Sequence, residues 1–302
     1  MLALRFAHII LRSRFNAILC ALIFALLPYL GWVSGAVIAL VTLRKGKMEG
    51  FLILLWSLLP GLCLALYTKT WLPFIFSVVF SSILLWCIAV LLRYRASLSG
   101  LLYVVILFDV IGVLVFHLVV PNPAAYWLSE LNASLQQLDG SLQAQLKPQN
   151  VQAAFLMFSK MATGLKIAGY SFLALMSLFF GKMMDHLLVH PKGMSREFRV
   201  IRLNVMASVI LIACLIVAKI GPAIFIDFVP VMLMPFVIAG VSLTHSLVMR
   251  TKSSRGWLMF YYFILMVMVF FMPPLMLFFV GLAVLDSVIN IRRWVKGKSS
   301  AT

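Results

Sequence analysis

Long apolar runs follow one another along this chain, separated by short polar or basic segments. Each run is long enough, or nearly so, to cross the roughly 30 Å hydrocarbon core of a bilayer as an α-helix. We therefore predict an all-α, polytopic transmembrane helix bundle with about 8–10 membrane helices. Beyond residue 49 the predicted spans are Gly50–Tyr67, Trp71–Leu92, Leu101–Val120, Phe155–Gly181, Leu203–Ile220, Ala223–Met249, Trp257–Met272 and Leu275–Ile291.

The first apolar stretch, Asn16–Leu43, is interrupted by Pro28 and Gly31 and has basic residues on both sides. If both basic flanks lie on the same side of the membrane, the stretch must enter the bilayer and return. Each limb then has about 14 residues, or roughly 21 Å of helix. This pattern predicts a short N-terminal helical hairpin. A secretory signal peptide is the alternative, but the later spans favour a first membrane helix.

Charge decides how the spans are oriented. Hydrophobic residues make up 64% of the chain and charged residues only 11%, which is typical of a membrane protein. The net charge of +17 comes from clusters between the spans, so it indicates topology and not nucleic-acid binding. Most of these clusters fall on one side, which the positive-inside rule makes cytoplasmic. We predict a single integral membrane domain, 1–302, with both termini and the basic loop 182–202 in the cytoplasm.

The loop 121–154 is predicted to be extracytoplasmic, and it carries leucines at heptad-like spacing. These are Leu128, Leu131, Leu135, Leu138 and Leu142, with Ser, Asn and Gln between them. The pattern predicts an amphipathic helix that lies on the outer surface or caps the bundle. A helix that binds a partner or gates a path is the alternative.

Two charges interrupt the spans on either side of this loop, Asp109 before it and Lys166 after it. A charge inside the bilayer is costly unless it is paired or faces a cavity. Because the two spans are antiparallel, both residues are expected at nearly the same depth. The sequence therefore predicts an Asp109–Lys166 pair, which is either a structural ion pair or a ligand or proton site.

A third candidate, Asp227, lies among helix-breaking residues and near two lysines. The breakers are Gly221, Pro222, Pro230 and Pro235, and the lysines are Lys160 and Lys219. Proline within a span leaves a backbone carbonyl without its helical partner, so a broken helix beside a carboxylate is a plausible binding mouth. An interfacial cluster at the end of a kinked helix is the alternative.

Small residues repeat every four positions on the first helix, at Ala17, Ala21 and Ala25. This spacing allows two membrane helices to approach closely. The alanines could dock a partner membrane protein, or they could pack within the chain.

Motifs for metal binding or catalysis are weak or missing. His186 and His190 have helical spacing for a metal, but no third ligand is evident. The four cysteines lie inside apolar runs, which favours reduced thiols. No phosphate loop, nucleophile elbow or zinc-protease motif is present. We expect neither a metal, nor a cofactor, nor an enzymatic activity.

Three stretches resemble the YybS-like family of uncharacterised bacterial inner-membrane proteins: Gly35–Gly50, Ser195–Leu203 and Gly281–Arg293. That family carries no known activity. It is distantly similar to the substrate-binding subunits of energy-coupling-factor vitamin transporters and to the rod-shape membrane protein MreD. In those subunits an alanine repeat docks the coupling partner, which the resemblance would assign to Ala17, Ala21 and Ala25. In the last stretch, Asp286 is expected to be structural and offset by Arg292 or Arg293.

These observations predict a small-solute-binding or transport module whose ligand contacts Asp109, Lys166 and Asp227. Its partners would be the lipid bilayer, a small-molecule solute and another integral membrane protein. The alternative is an envelope-assembly or scaffold protein that acts through partner contacts. Transport predicts a polar cavity that reaches Asp109, whereas a scaffold predicts a tightly packed interior and an exposed apolar groove.

Overall fold

A computed structural model describes residues 2–27, 29–137, 148–189, 197–249, 254–271 and 273–293. Within these ranges the regular structure is helical, which confirms the all-α prediction. In chain order the helices are α1 Leu2–Arg12, α2 Arg14–Leu26, α3 Gly31–Lys45, α4 Lys47–Thr68, α5 Trp71–Arg93, α6 Leu98–Val119, α7 Pro123–Gln136, α8 Pro148–Ser159, α9 Ala162–Val189, α10 Val205–Ile220, α11 Ile224–Val248, α12 Ser254–Phe271 and α13 Met276–Ile289.

Five of these helices are long and apolar enough to cross a membrane: α4, α5, α6, α9 and α11. The apolar helices α2, α10 and α13 are shorter, because prolines, glycines or polar residues end them early. The structure therefore shows a membrane protein, in agreement with the predicted helix bundle. Within the described residues, five helices are long apolar spans and four, counting Gly256–Met268 of α12, are shorter and apolar.

The bundle is built around α9, which packs against α3, α5, α6 and α11. Its closest neighbour is α3, which is buried from Val33 to Thr42. Small residues make this approach possible. A Cβ on Gly181 would lie 2.8 Å from the Cβ of Ala39 and 2.9 Å from the carbonyl oxygen of Ala36. In lipid the hydrophobic effect does little to bring helices together, so such close backbone contact is a main source of stability.

The predicted N-terminal hairpin is present as α2 and α3, each short, with Leu27, Tyr29 and Leu30 among the residues between them. Ala17 and Ala21 are fully buried in the chain's own core, where α2 packs against α3 and α4. Their surfaces are therefore closed to a partner protein, and the packing alternative is the correct one for these two alanines. Ala25 is half-buried and lines a cavity described below.

At one end of the bundle, which we call the basic end, ion pairs join the helices. Arg44 pairs with Asp185, Arg14 with Glu49, and Lys182 with Glu197. Arg93 donates to the carbonyl oxygens of Thr42 and Leu43, which completes the C-terminus of α3. The charges that the sequence places between spans thus connect α2, α3, α4, α5 and α9.

The expected structural role of Asp286 is confirmed. This buried carboxylate accepts a hydrogen bond from the Nε of Arg292 at 3.0 Å, and the guanidinium of Arg292 also donates to the carbonyl oxygen of Ile201 at 2.7 Å. Arg202 donates to the carbonyl oxygens of Asp286 and Ser287 from the other side. The segment before α10 is therefore fastened to the end of α13.

Two predicted boundaries around the polar loops are wrong. The apolar residues 155–158 belong to α8, and a turn at Lys160 and Met161 separates this helix from α9. At its other end α9 continues through residues 182–189, which the sequence assigned to a loop. Partners at the basic end stabilise this extension, because Lys182 and Asp185 both form ion pairs there. The span is thus shifted toward the basic end.

The amphipathic helix of the outer loop is present as α7. Its Asn122 side chain accepts from the backbone N–H of Ala125 at 3.1 Å, and Pro123 occupies the first turn. Leu128, Leu131 and Leu135 are half-buried, and most of the residues between them are exposed. Leu138 and Leu142 lie outside the described residues.

The contact between α3 and α9 can be tested at two glycines of the same helix. Replacing Gly181 by alanine should lower the free energy of unfolding by about 1–3 kcal/mol, because the added methyl group forces α3 and α9 apart. A methyl group on Gly169 meets nothing within 4 Å, so Gly169→Ala should leave stability unchanged or raise it by up to about 1 kcal/mol. Unfolding in detergent measures both, and equal effects would contradict the packing role of Gly181.

Candidate functional site

A cavity of about 170 Å³ opens at the end of the bundle opposite the basic end, which we call the loop end. Helices α5, α6, α7 and α9 form its walls. From α9 come residues at helical spacing, so that Thr163, Lys166, Ile167 and Tyr170 share one face. This loop-end cavity is smaller than the roughly 300 Å³ at which drug-sized ligand pockets begin, so it suits a small molecule.

Aromatic rings form much of the wall. Phe116 and Trp127 stack with their centroids 5.6 Å apart and their planes at 10°, and Phe76 meets Phe116 edge-on at 5.0 Å. The indole Nε1 of Trp127 donates to the hydroxyl of Thr163 at 2.9 Å. These contacts fix α7 over the ends of α6 and α9, so that the rings are held in place before any ligand arrives.

Opposite charges face this aromatic wall. The Lys166 ammonium lies 5.7 Å from the ring centroid of Trp127, within the range of a cation–π interaction. Glu130 lines the same cavity and is exposed. Burial raises the pKa of the Tyr126 phenol, and the Glu130 carboxylate raises it further. Tyr126 is therefore a protonated phenol at neutral pH. The site offers an ammonium, a carboxylate and a hydroxyl around flat apolar surfaces.

Asp227 lies close to this cavity but does not line it. Its Oδ2 is 2.8 Å from the Nε2 of His117, and its Oδ1 accepts from the backbone N–H of Gly164 at 2.8 Å. A Cβ on Gly164 would meet the Asp227 carbonyl oxygen at 1.9 Å, so only glycine allows α9 and α11 this close. The carboxylate that the sequence expected beside Lys160 and Lys219 is thus held by a histidine and a glycine.

The expected Asp109–Lys166 ion pair is not formed. Asp109 is fully buried at the middle of α6 and accepts a hydrogen bond from the hydroxyl of Ser171. Lys166 is near the loop-end terminus of α9 and faces Trp127 instead. Because α9 begins seven residues later than predicted, Lys166 lies closer to the loop end than Asp109. Asp109 lines neither this cavity nor the second cavity described below.

The sequence did not identify His117, Trp127, Glu130 or Ser171 as site residues. His117 lies near the end of a span, and a histidine at that position is not by itself a sign of a functional site. The sequence did contain one signal for Trp127: it directly precedes the leucine stripe and so belongs to the predicted loop helix, which could bring it over the ends of the neighbouring spans. Of the proposed metal pair, His186 lies 3.4 Å from Glu197 through its Nε2, and His190 is outside the described residues.

Double-mutant cycles test which partner Asp109 has. The Asp109→Ala and Ser171→Ala substitutions should show a coupling free energy of about 0.5–2 kcal/mol, typical of a polar contact between membrane helices. Asp109→Ala and Lys166→Ala should be additive to within about 0.5 kcal/mol, because the two side chains share no contact. Reversible unfolding in detergent gives both values. If the coupling of Asp109 with Lys166 were larger than its coupling with Ser171, the predicted Asp109–Lys166 ion pair would be supported instead.

Comparison with known proteins identifies no relative of this chain. The chain matches no family model, and no match is found among curated proteins or solved structures. The resemblance to the YybS-like family therefore stays a prediction from three short stretches.

Proposed function

We propose that this membrane protein is a non-enzymatic solute-binding module for transport, and that a small zwitterion binds in the loop-end cavity. One observation carries the proposal: Lys166 and Glu130, of opposite charge, line one aromatic cavity. The ammonium of Lys166 would hold an anionic group of the solute, and the carboxylate of Glu130 would hold a cationic group. The stacked rings would cover the apolar part between them.

Of the three residues that the sequence nominated, this proposal keeps Lys166 as a direct ligand contact. Asp227 becomes a positioning residue. Its bond to Gly164 N–H lies next to Thr163, which receives the hydrogen bond of Trp127. Asp109 sits deeper, bonded to Ser171 one residue beyond Tyr170, a wall residue of the cavity. A conformational change that carries the solute inward would bring it toward Asp109.

Binding can be tested by thermal unfolding of the detergent-purified protein. The zwitterions glycine, L-alanine, L-proline and glycine betaine should stabilise it more than acetate or methylammonium, which each carry only one of the charges. A ligand at a hundredfold excess over its Kd adds about 2.7 kcal/mol. Lys166→Gln and Glu130→Gln should abolish the response. Lys160→Gln, a matched exposed lysine outside the cavity, should keep it.

A zwitterion response that survives in Lys166→Gln would place the solute elsewhere. Equal responses to zwitterions and to the singly charged compounds would contradict the proposed solute class. Uptake of a binding zwitterion into vesicles that contain the protein would then test transport itself.

We also propose the orientation that the basic clusters favour, in a bacterial inner membrane with the loop end outside. In intact cells, a cysteine at Ala133 on α7 should react with a membrane-impermeant maleimide. A cysteine at Lys47, at the basic end, should react only after permeabilisation, because both positions are exposed but lie at opposite ends. The reverse pattern would overturn the orientation.

One observation favours a scaffold as a second candidate. Helix α12 packs mainly against α11, and Trp257, Met259 and Phe263 are more than half exposed. Such a helix can contact lipid or another membrane protein. Photo-crosslinking from Met259 would separate these cases, because a specific protein adduct in the native membrane would support the scaffold.

A further inference from the structure

A second cavity, of about 440 Å³, lies between α3, α4, α5 and α9, beneath the turn that joins α2 to α3. We call it the hydroxyl cavity, because serines from all four helices line it. None of its lining residues is charged, in contrast to the loop-end cavity. A charged ligand would therefore lose its hydration without gaining a counter-ion, which is costly inside a membrane protein.

Most of the serine hydroxyls in this cavity already donate a hydrogen bond within the protein. Each of these hydroxyls donates to a backbone carbonyl of its own or a neighbouring helix, so that its oxygen remains free to accept. The donations run from Ser57 to Leu54, from Ser77 to Pro73, from Ser81 to Ser77, and from Ser177 to Trp32 and Leu173. The wall is therefore rich in acceptors, and a ligand that fits it must bring hydrogen-bond donors.

One lining hydroxyl is both buried and without a partner among the described residues. Ser34 is only 3% exposed, and its Oγ makes no hydrogen bond. Leaving a buried polar group unpaired is costly, and such groups are rare in native proteins. A donor or acceptor from a bound molecule would remove this cost.

The backbone is irregular at the same place. Residues Phe74–Val79 of α5 form a π-helix, a conformation that is uncommon and frequently marks functional sites. Phe76 of this segment faces the loop-end cavity, whereas Ser77 and Val78 face the hydroxyl cavity. Tyr170 lines both cavities. The π-helical segment and Tyr170 thus form the wall between two chemically different sites.

We propose that the hydroxyl cavity is a binding site for an uncharged, hydroxyl-rich group of the polyol or sugar class. This site is separate from the zwitterion site and does not depend on it. Such a group carries several O–H donors for the serine oxygens and one partner for Ser34, and it needs no counter-ion. It can come from a free polyol or from the sugar headgroup of a neutral glycolipid, since the exposed Tyr29 between α2 and α3 is among the lining residues.

The two sources can be separated with two probes in a detergent without a sugar headgroup, which would otherwise compete. Sorbitol at millimolar concentration serves as the free polyol, and monogalactosyl diacylglycerol serves as the glycolipid. The affinity of each is measured from the rise in unfolding temperature, and retained glycolipid is counted by native mass spectrometry. We expect at least one probe to stabilise the protein.

Ser34→Ala should weaken binding of that probe about fivefold, the equivalent of one ordinary hydrogen bond. Ser246→Ala is the matched control, because Ser246 is buried, bonds to its own backbone and lines neither cavity. Ala25→Leu narrows the cavity at its mouth and should also weaken binding. This second variant keeps the test decisive if Ser34→Ala folds poorly.

Stabilisation by the glycolipid alone would identify a lipid site. If sorbitol stabilises the protein with the same affinity as the glycolipid, the cavity is a free-polyol site. No stabilisation by either probe, or responses unchanged in both Ser34→Ala and Ala25→Leu, would overturn the proposal and leave a cavity that holds only water. The Lys166→Gln variant should bind the probe as the wild type does, which separates this outcome from any failure of the zwitterion site.

Discussion

The close approach of α3 to α9 is the contact on which the rest of the bundle depends. Gly181 meets the backbone of α3 around Ala36 and Ala39, and Gly35 packs against Ser177 in return. Since lipid is as apolar as a leucine side chain, these helices gain little from burial alone and must gain from tight packing. Because α9 also contacts α5, α6 and α11, its position decides the partners of Asp109 on α6 and Asp227 on α11, which bond to Ser171 and to the backbone N–H of Gly164.

The two ends of the bundle treat charge differently. At the basic end, arginines and lysines are satisfied by carboxylates and by the carbonyls that helix C-termini leave open, as Arg93 and Arg292 show. These contacts stabilise the fold. At the loop end, Lys166 and Glu130 face a cavity and an aromatic wall instead. Charges that are not used for structure, in a preformed concave site, are the reason the proposed function is placed there.

The two cavities offer different hydrogen-bonding groups. The loop-end cavity offers charges and a phenol, and the hydroxyl cavity offers neutral oxygens that have already donated their hydrogens. Tyr170 and the π-helical part of α5 stand between them.

Hydropathy and charge patterns in the sequence determined the helical class, the short N-terminal hairpin and the loop helix with its leucine stripe. The structural role of Asp286 followed from the arginines close to it in the sequence. Hydropathy also placed Asp109 at the middle of a span. The partners of Asp109, Lys166 and Asp227 were decided only by tertiary structure. An apolar run does not show where a helix begins, and a turn at Lys160 displaced α9 enough to give Asp109 the hydroxyl of Ser171 in place of the ammonium of Lys166. Likewise, an alanine repeat shows that a helix can be approached closely but not by which neighbour, and the burial of Ala17 and Ala21 assigns that contact to the chain's own helices.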